Sequence, residues 1–173
     1  VPFEERWKII MKLGFIGCGN MASAIIGGIL NKGLAQPEDI CASVKTQSSA
    51  QKIQNTLGIS CTTNNLEVAK TADYLFLAVK PQFCADVALQ IKDVLTDKQV
   101  IISVIAGKNL EWLKEHLGND KKIIRTMPNT PALVGEGVTG VCPDNLASDE
   151  ELQNVLTLLR SFGQADIVTE PIL

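Results

Sequence analysis

The sequence holds one histidine, His116, and none of its cysteines stands at Cys-x-x-Cys spacing. A structural zinc site needs four clustered thiol or imidazole ligands, so that class falls away. There is no basic excess either: 16 Lys and Arg against 19 Asp and Glu give a net charge of −3. A protein that binds nucleic acid by neutralising phosphates is normally basic. Long apolar runs are also missing. The longest, residues 74–79, is six residues, against the roughly 18 or more a membrane-spanning helix needs. No Gly-x-Ser-x-Gly elbow occurs, and residues 1–10 lack the basic flank and small-residue cleavage site of a secretory signal. That decapeptide, ahead of Met11, reads as a leader or a cloning remnant.

What is present suits a globular fold. The 173 residues, 46% apolar and 20% charged, with a mean hydropathy of +0.15, are enough for one domain with a full core. Five cysteines at 18, 41, 61, 84 and 142 fit reduced, partly buried thiols in a cytoplasmic protein better than a disulfide framework.

From Met11 onward short apolar runs alternate with amphipathic stretches. Strands are expected at 12–16, 39–43, 59–62, 74–79, 100–105, 123–127, 137–142 and 165–168, the last at a sheet edge. Helices are expected at 20–31, 48–57, 66–70 with Asn65 as cap, 83–95, 110–117 and 149–162. Pro128 and Pro131 exclude a regular element after the sixth strand. Strands separated by helical segments predict an α/β fold, a doubly wound Rossmann-type sheet, mostly parallel, with helices on both faces. The domain should span residues 11–168, with 169–173 starting a linker.

The sharpest motif is Gly17-Cys18-Gly19-Asn20-Met21-Ala22, a Gly-x-Gly-x-x-Ala at the first strand-to-helix turn. The first glycine allows the turn, the second lets the backbone approach a pyrophosphate, and Ala22 permits close helix–strand packing. The helix N-terminus then faces the ligand's negative charge. A merely structural tight turn is the alternative. An acid at the end of the second strand would select NAD through the ribose hydroxyl. Asp39 sits at that strand's beginning, whereas Ser43, Val44, Lys45 and Thr46 occupy its end. A hydroxyl plus a lysine suits a 2′-phosphate, so NADP is favoured with NAD possible. Lys45 also reads as a solvated loop lysine.

Three more loops follow strand ends: residues 78–82 with Lys80, 103–107 with the small Ala106 and Gly107, and 125–131. Ligands of open α/β sheets bind outside these carboxyl ends; each loop alone could be an ordinary connection. His116 reads as an exposed helix residue, and Asp149, Glu150 and Glu151 read as helix-capping acids. Cys18, inside the glycine turn, is a weak functional lead.

The run from Gly14 to Ala22, with Ala24 to Gly28 after it, resembles pyrroline-5-carboxylate reductase. So do Phe76 to Gln82, Ser103 to Gly107, and Arg125 to Pro131 with Gly135 to Gly137. The resemblance implies reduction of 1-pyrroline-5-carboxylate to L-proline with NAD(P)H, the last step of proline biosynthesis. It implies that Ile16, Gly17, Cys18, Gly19, Asn20 and Met21 hold the pyrophosphate, and Ser43 the adenosine ribose or its 2′-phosphate. Asn65, Ala78, Val79, Lys80, Pro81, Val104, Ile105 and Ala106 would line the rest of the cofactor. No catalytic residue is assigned and no metal is expected. Family members continue into an all-helical domain that builds the homo-oligomer and carries the substrate loop. The expectation is therefore that these residues bind cofactor and turn over substrate poorly alone. A related NADP-dependent oxidoreductase of small substrates, or a non-catalytic nucleotide-binding paralogue, are the alternatives.

Overall fold

The computed structural model describes residues 11–128 and 137–170. The leader reading of residues 1–10, the Asn129-Thr130-Pro131 part of the sixth-strand loop, Gly135 and Glu136, and residues 171–173 lie outside them.

Eight strands form one sheet in the order β3-β2-β1-β4-β5-β6-β7-β8. They are β1 (Leu13–Ile16), β2 (Ile40–Ser43), β3 (Ser60–Thr62), β4 (Tyr74–Leu77), β5 (Val100–Ser103), β6 (Lys122–Pro128), β7 (Gly137–Pro143) and β8 (Gly163–Ile167). All neighbours run parallel except β6 and β7, which are antiparallel. The helices are α1 (Asn20–Asn31), α2 (Gln47–Leu57), α3 (Asn65–Thr71), α4 (Cys84–Ile91), α5 (Leu110–Leu117) and α6 (Asp149–Leu159).

Side chains alternate across each strand, so one sheet feeds two cores. Phe15, Ile40, Phe76 and Ile102 meet α1, α2 and α6 on one face, with the Phe15 and Phe76 rings stacked 4.4 Å apart. Leu75, Leu77, Ile101 and Ile123 meet α3, α4 and α5 on the other. The doubly wound, mostly parallel sheet expected from the sequence is what forms.

Several boundaries differ, for identifiable reasons. β4 closes at Leu77 and β5 at Ser103; apolar Ala78, Val79, Val104 and Ile105 extend the sequence pattern because they pack against the cores as loop residues. The cap of α3 is Asn64, whose side chain accepts from the Leu66 N–H, and Asn65 is the first helical residue. Pro128 is itself the last residue of β6, opposite Thr139, one residue beyond the expected end at Met127. His116 is half-buried, its ring stacked 3.7 Å from that of Trp112. The acids of α6 do cap: Ser148 and Glu151 form a reciprocal capping box.

Two carboxylates hold the sheet's far end. Asp144 pairs with Lys114 at 2.6 Å and accepts the N–H groups of Ile123, Leu146 and Ala147. Glu170 accepts from Leu110 N–H and from buried Arg125, tying the described end of the chain to α5 and β6.

Candidate functional site

Strand order reverses between β1 and β4, since β2 continues to one side of β1 and β5 to the other. Their last residues stand in one row, Ser43, Ile16, Leu77 and Ser103. Backbone bonds extend that row into the loops: Gly17 N–H to Ser43 O at 2.9 Å, Ala78 N–H to Ile16 O at 2.8 Å, and Val104 N–H to Leu77 O at 3.0 Å. The crevice outside such a switch point is where open α/β sheets bind ligands.

A cavity of about 1250 Å³ opens there. That exceeds the usual 300–1,000 Å³ of small-ligand pockets and suits a long ligand. Gly17, Cys18, Gly19 and Asn20 form its floor, Ala78, Val79 and Lys80 one side, and Ser43, Val44 and Lys45 the other.

The two glycines of the turn are required for different reasons. Gly17 has φ +90°, and a Cβ there would stand 2.7 Å from the Ala78 carbonyl oxygen. The fold itself demands it. Gly19 has φ −82° and ψ −158°, which any residue adopts, and a Cβ would meet nothing within 4 Å. Its bareness leaves the cavity open at this point. Behind it, α1 begins with no side-chain cap and no acid in its first turn. Side chains of Thr46, Asn64, Asn109 and Ser148 cap α2, α3, α5 and α6. The free amides of α1 thus face the cavity and suit a pyrophosphate.

Cys18 is half-buried, its Sγ 3.7 Å from Ser23 Oγ. Burial pushes its thiol pKa up, against a smaller opposing pull from Ser23. The thiol is therefore neutral at pH 7 and puts no negative charge beside the start of α1. Cys61 is pushed up to about 11, chiefly by burial. Cys41, Cys84 and Cys142 are also raised, burial first in each.

On the β2 side, Ser43 is fully buried. Its Oγ donates to Asn65 Oδ1 at 2.7 Å, and Asn65 Nδ2 donates to Gln90 Oε1 at 2.8 Å. This polar chain runs along the wall from β2 to α4. The Ser43 proton is committed to Asn65, so its first task is to orient that amide. Lys45 is exposed, with Nζ 2.9 Å from the centroid of the Phe83 ring. Asp39 pairs with Lys12 at 3.0 Å at the opposite end of β2, away from the crevice.

Of the residues singled out from the sequence, Gly17, Cys18, Gly19, Asn20, Ser43, Lys45, Asn65, Ala78, Val79 and Lys80 come together around this cavity. The others stand outside its lining. Ile16 is fully buried and Ile105 nearly so, both within the α3–α5 core. Met21 and Val104 pack against the opposite core, while Pro81 and Ala106 are exposed. Sequence reasoning missed Ser23, Ser49, Lys52, Thr56, Phe83, Asp86 and Gln90. Ser49, Lys52 and Thr56 recur at helical spacing on α2, a signal that one polar stripe faces something in common.

Among the described residues no group of three His, Cys, Asp or Glu side chains is placed to hold a metal ion. No helix among them is long and apolar enough to cross a membrane.

Comparison with known proteins extends this geometry. Residues 12–107 match the family described as NADP oxidoreductase, coenzyme F420-dependent. The pyrroline-5-carboxylate reductase of Escherichia coli (strain K12) is 40% identical over 162 residues, 94% of this chain and 60% of that protein. The solved pyrroline-5-carboxylate reductase from Coxiella burnetii superposes with a TM-score of 0.87 at 30% identity, covering 92% of this chain and 59% of that one. The Plasmodium falciparum pyrroline carboxylate reductase with NADP bound gives 0.83 at 31%, covering 94% and 59%. The chain thus spans about 60% of the length of the curated relative it matches. With more than half of its residues inside the matched region, the chain belongs to the NADP oxidoreductase, coenzyme F420-dependent, family.

Proposed function

We propose that this chain is the dinucleotide-binding part of a pyrroline-5-carboxylate reductase, holding NADP(H) while the cyclic imine 1-pyrroline-5-carboxylate is reduced to proline. The observation that carries the reading is the bare Gly19 at the uncapped start of α1, open onto the cavity at the sheet's switch point. The likeness to reductases of that name, over 94% of the chain in the Escherichia coli case, supports the substrate.

The residues fit the cofactor. Gly17, Gly19 and the first amides of α1 would take the pyrophosphate. The Ser43–Asn65–Gln90 chain would shape the adenosine end. Lys45, Lys52 and Ser49 line the wall beyond β2, where a 2′-phosphate belongs and where no acid competes for a ribose hydroxyl. NADPH is therefore favoured over NADH. Ala78, Val79 and Lys80 would flank the remaining length. Ile16, Met21, Val104 and Ile105 pack into the cores behind these loops, and Pro81 and Ala106 are exposed beside them.

The bound dinucleotide supplies the two electrons and the hydrogen that reduce the C=N bond. The protein's share is to fix the cofactor's position and orientation against the imine. An imine nitrogen that is already protonated asks little of a protein acid. Under this reading the protein works in the cytoplasm, where its thiols stay reduced, within a homo-oligomeric enzyme.

Calorimetric titration with NADPH and NADH tests the cofactor. Binding of one NADPH per chain, tighter than NADH, is expected, and binding of neither would refute the reading. For the substrate, a chimera carrying this chain in place of the matched region of the Escherichia coli enzyme should consume NADPH when pyrroline-5-carboxylate is added. A folded chimera that binds NADPH yet leaves the imine untouched would refute that assignment.

A further inference from the structure

Two separate walls of the cavity touch through Lys45 and Phe83. Lys45 lies two residues beyond the end of β2, in the loop to α2. Phe83 closes the 3₁₀ turn Pro81–Phe83 that leads into α4, its N–H bonded to Lys80 O at 3.0 Å. Both side chains line the cavity, and the Lys45 ammonium sits 2.9 Å from the Phe83 ring centroid. No ion pair joins Lys45 to a described carboxylate.

An exposed lysine normally wanders through many rotamers and loses that freedom when it engages a ligand. The negative face of an aromatic ring holds an ammonium in place by electrostatic attraction. It engages one side of the cation and leaves N–H donors on the other side for an incoming anion. A carboxylate partner would behave differently, because its charge would compete with the ligand for the same cation. Asp86, on the first turn of α4, does line the cavity, yet the ring rather than that carboxylate is what Lys45 rests on.

We propose that Phe83 is a positioning residue that presents the Lys45 ammonium to the 2′-phosphate of the dinucleotide and thereby sets the preference for NADPH over NADH. The proposal rests on the dinucleotide reading given above. It assigns cofactor selectivity to contact between the β2 loop and the β4–α4 turn, not to the β2 loop alone.

The test is titration of the unsubstituted protein and of F83L, F83Y, K45M and the F83L/K45M pair with NADPH and with NADH. F83L should weaken NADPH about two- to five-fold more than it weakens NADH, the worth of one exposed cation–π contact. F83Y, which keeps the ring, should restore NADPH binding. K45M should lose NADPH more strongly, and adding F83L to it should cost nothing further, because the two act as one unit. Equal weakening of both nucleotides in F83L would mean the ring only packs the wall, and would overturn the proposal. Unchanged or tighter NADPH binding in F83L would overturn it as well, since the ring would then hold the lysine idle or away. If the unsubstituted protein bound neither nucleotide, the dinucleotide reading itself would fall. Thermal midpoints without nucleotide verify folding, and should F83L not fold, F83M, which keeps the volume without the ring, takes its place with the same expected and refuting outcomes.

Discussion

Replacing Gly19 by valine tests the site at its most economical point. The residue has extended backbone angles, φ −82° and ψ −158°, that a β-branched residue adopts without strain. Nothing lies within 4 Å of the Cβ position, so the free protein meets no clash. Glycine is a better helix N-cap than valine, and that difference costs about 1 kcal/mol. For a domain of this size the thermal midpoint should fall by about 2–4 °C. The ligand-bound protein should behave otherwise. NADPH at about 100 times its dissociation constant stabilises by about 2.7 kcal/mol, which is about 5–11 °C in midpoint. In Gly19→Val the new methyl groups occupy the pyrophosphate's approach to the α1 amides, and this rise should vanish. The contrast is Gly17→Ala, where φ +90° and the Ala78 oxygen 2.7 Å away should damage folding before binding is even tested. Differential scanning fluorimetry with and without NADPH reads both effects. A Gly19→Val protein that kept the full ligand-induced rise would place the nucleotide elsewhere and refute the reasoning.

Two further outcomes follow from packing and charge. Gly14, buried in β1, faces α3 so closely that an added Cβ would stand 2.7 Å from Ala72 Cβ and 2.8 Å from Val68 Cγ1. Gly14→Ala should therefore cost about 1–3 kcal/mol in urea unfolding, and a gain in stability, the usual effect of removing a strand glycine, would contradict the geometry. Burial alone would raise the Glu151 pKa, but the Ser148 cap and Lys122 outweigh it and hold the carboxyl below its ordinary value. A depressed folded pKa gives stability that is present above the unfolded value and lost as pH falls through the folded one. Glu151→Gln should thus flatten the loss of stability between neutral and acid pH, and parallel pH profiles would count against the capping box as its source.

The layers of this fold were legible because apolar runs report burial, and a sheet covered on both faces buries its strands completely. The same logic explains where the reading overran. Ala78 and Val79 are apolar because they pack as loop residues beside the cavity, so the run 74–79 outlasts β4 by two residues. Periodicity carries no strand direction, hence the antiparallel pairing of β6 with β7 was invisible. Motif spacing located the glycine turn correctly, since its requirements are local. It could not show that Ser43 spends its hydroxyl on Asn65, because 22 residues and a whole helix separate them. Nor could it show that Ile105 turns into the α5 core instead of the crevice. Ser49, Lys52 and Thr56 lie on one face of α2, but only the packing of α2 on the sheet decides that this face borders the cavity.

Net charge illustrates the same division between whole-chain and local quantities. A total of −3 argues against a phosphate-binding surface, yet several groups around the cavity suit an anion. The α1 terminus facing it carries no acid, and Cys18 is kept neutral by burial. Lys45, Lys52 and Lys80 stand around its margin, against the single carboxylate of Asp86. The acids that produce the negative total are used elsewhere: Asp149, Glu150 and Glu151 at the start of α6, Asp39 on Lys12, and Asp144 on Lys114. Screening confines an exposed charge's reach to about 8–10 Å at physiological salt, so an anion in the crevice responds chiefly to the groups lining it. For a ligand held by backbone amides and a few cations, the sign of the lining decides and the sign of the chain does not.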